Sequence, residues 1–191
     1  MNKVAQRIVE ILIKHKFLNE NRKEEYGYVV EILLEKTISF GTLIMLSLLF
    51  NNILQTIIFL FTFMNMRGRT GGFHMRSYGG CWLSTVILYA VLVIMMPIFS
   101  EMWGYTYLLF TIAIFVILII STVNHPNMGL SDLEYTEAKK VARLTAGIHW
   151  IFITVLFFEI PNNIYILWAM VADIVCGILL VFAKIIKQEV V

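Results

Sequence analysis

The chain has 191 residues, 59% hydrophobic and only 15% charged, with a mean hydropathy of +0.80. Soluble domains hold about 45–50% apolar residues, so this is the composition of a membrane protein whose first partner is the lipid bilayer, and under about 200 residues there is room for one domain and no large soluble module. A net charge of +2, without basic residues interleaved among aromatics, excludes a nucleic-acid partner, and two cysteines, Cys81 and Cys176, make neither a disulfide framework nor a metal-binding spacing, so no metal and no cofactor is expected.

Residues 3–18 set Val4, Ile8, Ile11, Leu12 and Phe17 at helical spacing, with Lys3, Arg7, Glu10, Lys14 and Lys16 between them. That pattern predicts an amphipathic helix lying on the membrane surface, and its scattered charge is unlike the apolar core of a cleaved signal peptide. After a polar break at Asn19–Glu25, a mixed-charge helix is expected over Glu24–Lys36. Thirty uncharged residues follow, from Thr37 to Met66, more than the roughly 20 that one span needs and fewer than two full spans. Asn51-Asn52 at their centre predicts a turn between two short helices, 36–50 and 53–66.

Further spans are expected at 81–97, 105–123, 144–158 and 164–183. Between the fourth and fifth lies a polar loop, 124–143, broken by Pro126 and Gly129, with Ser131-Asp132 placed to start a helix. The expected fold class is therefore all-α: a polytopic membrane protein of six transmembrane helices plus an N-terminal amphipathic interfacial helix. It forms one domain over 1–191, divided into a charged N-terminal region (1–35), a transmembrane bundle (36–183) and a tail (184–191). All fifteen Lys and Arg residues fall in the N-terminal segment up to Lys36, the stretch 67–76, the loop 124–143 and the tail. The remaining turns, Asn51-Asn52, Ser100-Glu101 and Glu159–Asn163, hold none, so the positive-inside rule predicts cytosolic termini and a cytosolic Arg67–Cys81. Thiols stay reduced there. No repeat of 20–50 residues and no inverted halves argue for a transporter.

The chemistry gathers in Arg67–Cys81, RGRTGGFHMRSYGGC, where an oily sequence brings together arginines, glycines, a histidine and a cysteine. The pattern suggests a cysteine nucleophile, Cys81, with a histidine base, His74. A thiolate is favoured by a helix N-terminus or a nearby cation. Gly79-Gly80 are expected to start the third span at Cys81, aiming backbone amides, Gly80 included, at the sulfur and at a developing oxyanion. Arg67, Arg69 and Arg76 add positive potential, although arginines beside a span also serve as topology signals. Seven residues along one helix separate His74 from Cys81 by about 10 Å, whereas proton transfer needs about 3 Å. The chain between them must therefore break. Gly79-Gly80 are the expected break, and Gly71-Gly72 permit a tight approach before the histidine. Ser77 can cap a turn.

Arg67, Gly71-Gly72-x-His74, Ser77 and Cys81 resemble the core motif of the AgrB (accessory gene regulator B) family, the membrane cysteine endopeptidases of Gram-positive quorum sensing, and the likeness extends over nearly the whole chain. The resemblance implies that Cys81 is the nucleophile and His74 its base. It also implies a partner in the cell membrane, an AgrD-type precursor peptide with an amphipathic leader and an acidic C-terminal tail. The tail is cut off through an acyl-enzyme thioester and the remainder closed into a thiolactone or lactone. Lys139, Lys140 and Arg143, or Arg67 and Arg69, are candidates to receive the tail. A small membrane transporter or exporter of the signal peptide is the competing reading. Asp173, mid-way through the sixth span, is costly there and so a functional-site candidate; it can orient His74 as a third catalytic member or pair with His149. Cys176 reads as an inert core thiol, and the apolar surface of six spans suits a homodimer.

Overall fold

The structure, a computed structural model, describes residues 2–15, 17–71, 78–123 and 131–187. Among them the chain forms seven α-helices: α1 (Asn2–Lys14), α2 (Lys23–Leu49), α3 (Ile53–Thr70), α4 (Tyr78–Glu101), α5 (Trp103–Ile120), α6 (Asp132–Glu159) and α7 (Ile164–Ile185). A 3₁₀ turn, Glu20–Arg22, precedes α2. No strand occurs among the described residues. The protein is an all-α polytopic membrane protein. Five helices, α2 and α4–α7, are long and apolar enough to cross a bilayer. The other long helix, α3, is less apolar because its last turn carries Arg67 and Arg69.

Local chemistry accounts for most of the boundaries. Asn51 and Asn162 take the left-handed backbone conformation, φ 53° and 57°, which asparagine tolerates better than most residues, and each turns the chain between two helices. Ser131 and Glu134 form a capping box at the start of α6, satisfying two amide donors that a helix start leaves without partners. α6 therefore begins inside the region expected to be loop and runs unbroken to Glu159. Other boundaries differ from expectation as well, among them the end of α3, which runs on through Arg67 and Arg69 to Thr70. α2 runs straight through the junction drawn at residues 35–36, and α5 ends at Ile120 rather than Val123.

α4 corrects the expected break: it begins at Tyr78, so Gly79 and Gly80 lie in its first turn instead of ending a loop. A glycine pair weakens a helix by about 1 kcal/mol per residue relative to alanine. In a bilayer, however, every backbone group needs an internal partner, and helix is the cheapest way to provide one. The same pressure carries α4 through Pro97 to Glu101.

α7 is the axis of the bundle. Of its most apolar stretch 72% is buried, against 28% or less for the other spans, and it packs chiefly on α3 and α5. The approach to α5 is close: a Cβ placed on Gly177 would stand 3.0 Å from Ala113 Cβ. Where α3 begins, Tyr89 Oη lies 2.6 Å from Thr56 Oγ1 and donates to Asn52 Oδ1 at 3.0 Å. The rings of Phe59, Tyr89 and Trp168 pack around this cluster. α1 lies along α2, burying Ala5 and Val9, and Lys23 Nζ reaches Glu10 at 2.8 Å.

Candidate active site at the C-terminal end of α3

The last turn of α3 sets the site. Arg67 is half-buried there and its guanidinium donates to the carbonyl of Gly71, while the Gly71 amide donates back to Arg67 O at 3.0 Å. Gly71 has φ 64°, a conformation glycine adopts without the Cβ clash that other residues meet. One residue earlier, the buried carbonyl of Thr70 accepts from Val123 N at 3.1 Å and from Thr122 Oγ1 at 3.2 Å. Two consecutive carbonyls are thus held at the point where the chain leaves α3. Gly72, His74, Arg76 and Ser77 lie outside the described residues. Arg69 is exposed.

Cys81 is the fourth residue of α4 and its side chain is partly exposed. Helical side chains lean toward the N-terminus, so the thiol sits over the first turn, at the positive end of the helix dipole. The two thiols differ in access: Cys176 is buried, and its Sγ donates to Phe63 O at 3.7 Å.

Asp173 is wholly buried, and both of its carboxylate oxygens lie 3.1 Å from Nδ1 of His149, across the α6–α7 contact. Of the two partners open to it in the sequence, His149 is the one the described structure supplies. Lys139 stands over the Tyr135 ring at 4.1 Å, and Lys140 pairs with Glu137 at 2.7 Å. Arg143 faces the end of α5, where its Nε donates to Leu118 O at 3.1 Å and to Ser121 Oγ at 2.8 Å. Thr70, Ser121 and Thr122 were not marked by any motif. The only local sign of them is a pair of hydroxyl residues closing the apolar run of α5. Among the described residues, no three His, Cys, Asp or Glu side chains converge as metal ligands.

The accessory gene regulator B family model, AgrB, matches residues 5–183. The chain belongs to the AgrB family. The match begins in α1 and ends in the last turn of α7, so the amphipathic N-terminal helix is part of what AgrB proteins share with this chain, along with the bundle. Membership places the protein in the accessory gene regulator system of quorum sensing, and its apolar helices place it in a membrane. No curated protein and no solved structure matches the chain.

Proposed function

We propose that this AgrB-family protein is a membrane-bound cysteine endopeptidase that removes the C-terminal tail of an AgrD-type precursor peptide and closes the remainder into a thiolactone or lactone. The observation that carries this reading is the contrast in access between the two thiols. Cys81 is accessible, at the start of a helix, while Cys176 is sealed in the core. Nucleophilic attack requires a sulfur that the substrate carbonyl can reach, and of the two thiols only Cys81 offers one.

In this mechanism Cys81 gives its thiol proton to His74 and its sulfur adds to the scissile carbonyl, and the oxyanion forms beside the N-terminal turn of α4 and the Arg67 guanidinium. Collapse breaks the C–N bond, the departing amine takes a proton from His74, and the precursor remains as a thioester on Cys81. An internal Cys or Ser of the precursor then gives its proton to His74 and attacks the thioester, closing the ring and releasing the Cys81 thiol. Thioester exchange is nearly balanced in free energy, so the site must keep water out. Arg67 has a second task, because its bond to Gly71 O holds the start of the segment that carries Gly72, His74 and Ser77. The distribution of lysine and arginine supports a cytosolic site and cytosolic termini. The whole chain acts as one membrane-embedded peptidase domain. Asp173 serves the bundle through His149 in this reading.

The test is purified protein in liposomes with a precursor bearing an acidic tail. Tail release without a gradient is expected for an enzyme and not for a transporter. Cys81→Ala is expected to abolish release while the protein stays folded, and Cys176→Ala to retain it. Undiminished release by Cys81→Ala overturns the reading.

A further inference from the structure

Helices α5 and α6 run antiparallel in a regular register. Tyr107 Oη lies 3.2 Å from Thr154 Oγ1, and three turns along, Arg143 reaches Leu118. At the end of this seam α5 stops in an unusual way. Ser121 has φ 67°, a left-handed conformation that disfavours a side chain and persists only where its surroundings hold it. What holds it is Arg143, whose Nε donates to the serine hydroxyl and to the Leu118 carbonyl together. Ser121, Thr122 and Val123 are all fully buried. The turn at Ser121 brings Thr122 Oγ1 and Val123 N onto the carbonyl of Thr70, and Tyr135 Oη donates to Thr122 O at 3.4 Å from α6.

We propose that Arg143, Ser121 and Thr122 are positioning residues for the cleavage reaction: they anchor the end of α3 from which the His74-bearing chain departs. This rests on the peptidase reading above. It also gives Arg143 a role other than receptor for the acidic tail, since a guanidinium committed through Nε to the end of α5 is oriented by the protein. The effect belongs to geometry. Catalysis that depends on two groups meeting within about 3 Å is lost steeply with displacement, about 100-fold for 1 Å.

The experiment measures kcat and KM for tail release in liposomes, with one precursor whose tail is acidic and one whose tail carriers are changed to glutamine. Thr122→Val removes the side-chain donor to Thr70 and keeps the shape; Arg143→Met keeps the stem and removes both bonds. Each is expected to lower kcat by about tenfold with KM unchanged and equally for both tails, and the double variant to fall no further than the stronger single, as for two parts of one anchor. Unchanged kcat in both variants overturns the proposal. So does a KM that rises for the acidic tail alone, which would make Arg143 the tail's receptor. Should Arg143→Met fail to fold, Arg143→Lys decides: a lysine keeps the charge a tail needs but cannot reproduce the two-acceptor grip, so positioning requires a loss of kcat. Alkylation of Cys81 by iodoacetamide, expected to proceed at the wild-type rate in these variants, separates this outcome from failure of the nucleophile assignment, which Cys81→Ala tests by itself.

Discussion

The two ends of α3 handle polar groups in opposite ways. At the N-terminal end Asn52, Thr56 and Tyr89 satisfy one another, and aromatic rings close over them. At the C-terminal end the backbone carbonyls of Thr70 and Gly71 are satisfied as fully, the latter by the half-buried Arg67 guanidinium, while the thiol of Cys81, at the start of the next helix, stays partly exposed. Inside a membrane protein an unmatched polar group is expensive. A cluster whose donors and acceptors all meet is explained by folding. At the C-terminal end the bond from Arg67 to Gly71 O fixes the start of the segment that carries the proposed base, so the peptidase reading bears on that end.

Substitutions at the two ends should therefore separate activity from stability. Arg67→Ala removes both the tie to Gly71 and the charge proposed to face the oxyanion, and tail release should fall by roughly 100-fold or more, in the range of a lost oxyanion donor. Arg67→Lys should recover little of it, because a lysine lacks the guanidinium fork. A near-normal rate for Arg67→Ala in the liposome assay would erase the contrast between the ends.

His149→Leu tests a third polar site, one that resembles the N-terminal end in being closed. It strands Asp173 without its described partner and should cost about 3–5 kcal/mol of stability, read as a lower midpoint of unfolding in detergent. His149→Leu with Asp173→Leu should regain much of that, since an apolar pair leaves no buried charge. A double variant as unstable as the single would mean that Asp173 has a second task. Tyr89→Phe, at the closed end of α3, should cost only about 1 kcal/mol and leave the cleavage rate unchanged.

Smaller effects are expected where charges are already engaged at the surface. Lys139→Gln and Lys140→Gln should each change KM for an acidic-tailed precursor by less than about threefold, given the exposed pairing of Lys140 with Glu137 and the usual weakness of such pairs. The tie between α1 and α2 should respond to pH. The hydrogen bond and charge of Lys23 hold the Glu10 carboxyl below its ordinary 4.5. A depressed carboxylate lends its stabilisation above the unfolded value and loses it as pH falls through the folded one. α1 should accordingly become easier to cleave with a protease as pH drops below about 4.5, and high salt should have a similar effect.

Much of this was legible from residue types and spacing. Hydropathy located the long helices, Asn51-Asn52 the turn between α2 and α3, and Ser131-Asp132 the start of α6, because each of these signals acts within a few residues. Gly79-Gly80 misled for the same reason: the local preference of glycine is to break a helix, and the decisive pressure, backbone satisfaction in a bilayer, is not local. The partner of Asp173 could not be chosen from the sequence, since His149 lies 24 residues away and meets it only across the α6–α7 contact. The anchoring of Thr70 by Thr122 spans 52 residues and left no motif at all.

The sequence by itself determined that this is a membrane protein of long helices whose candidate site residues cluster in one polar stretch, because composition, charge and glycine content are properties of the chain before it folds. Tertiary structure alone decided which thiol is accessible and that Arg143 turns toward the end of α5. Those are matters of distance between helices, and distance is settled by packing around α7.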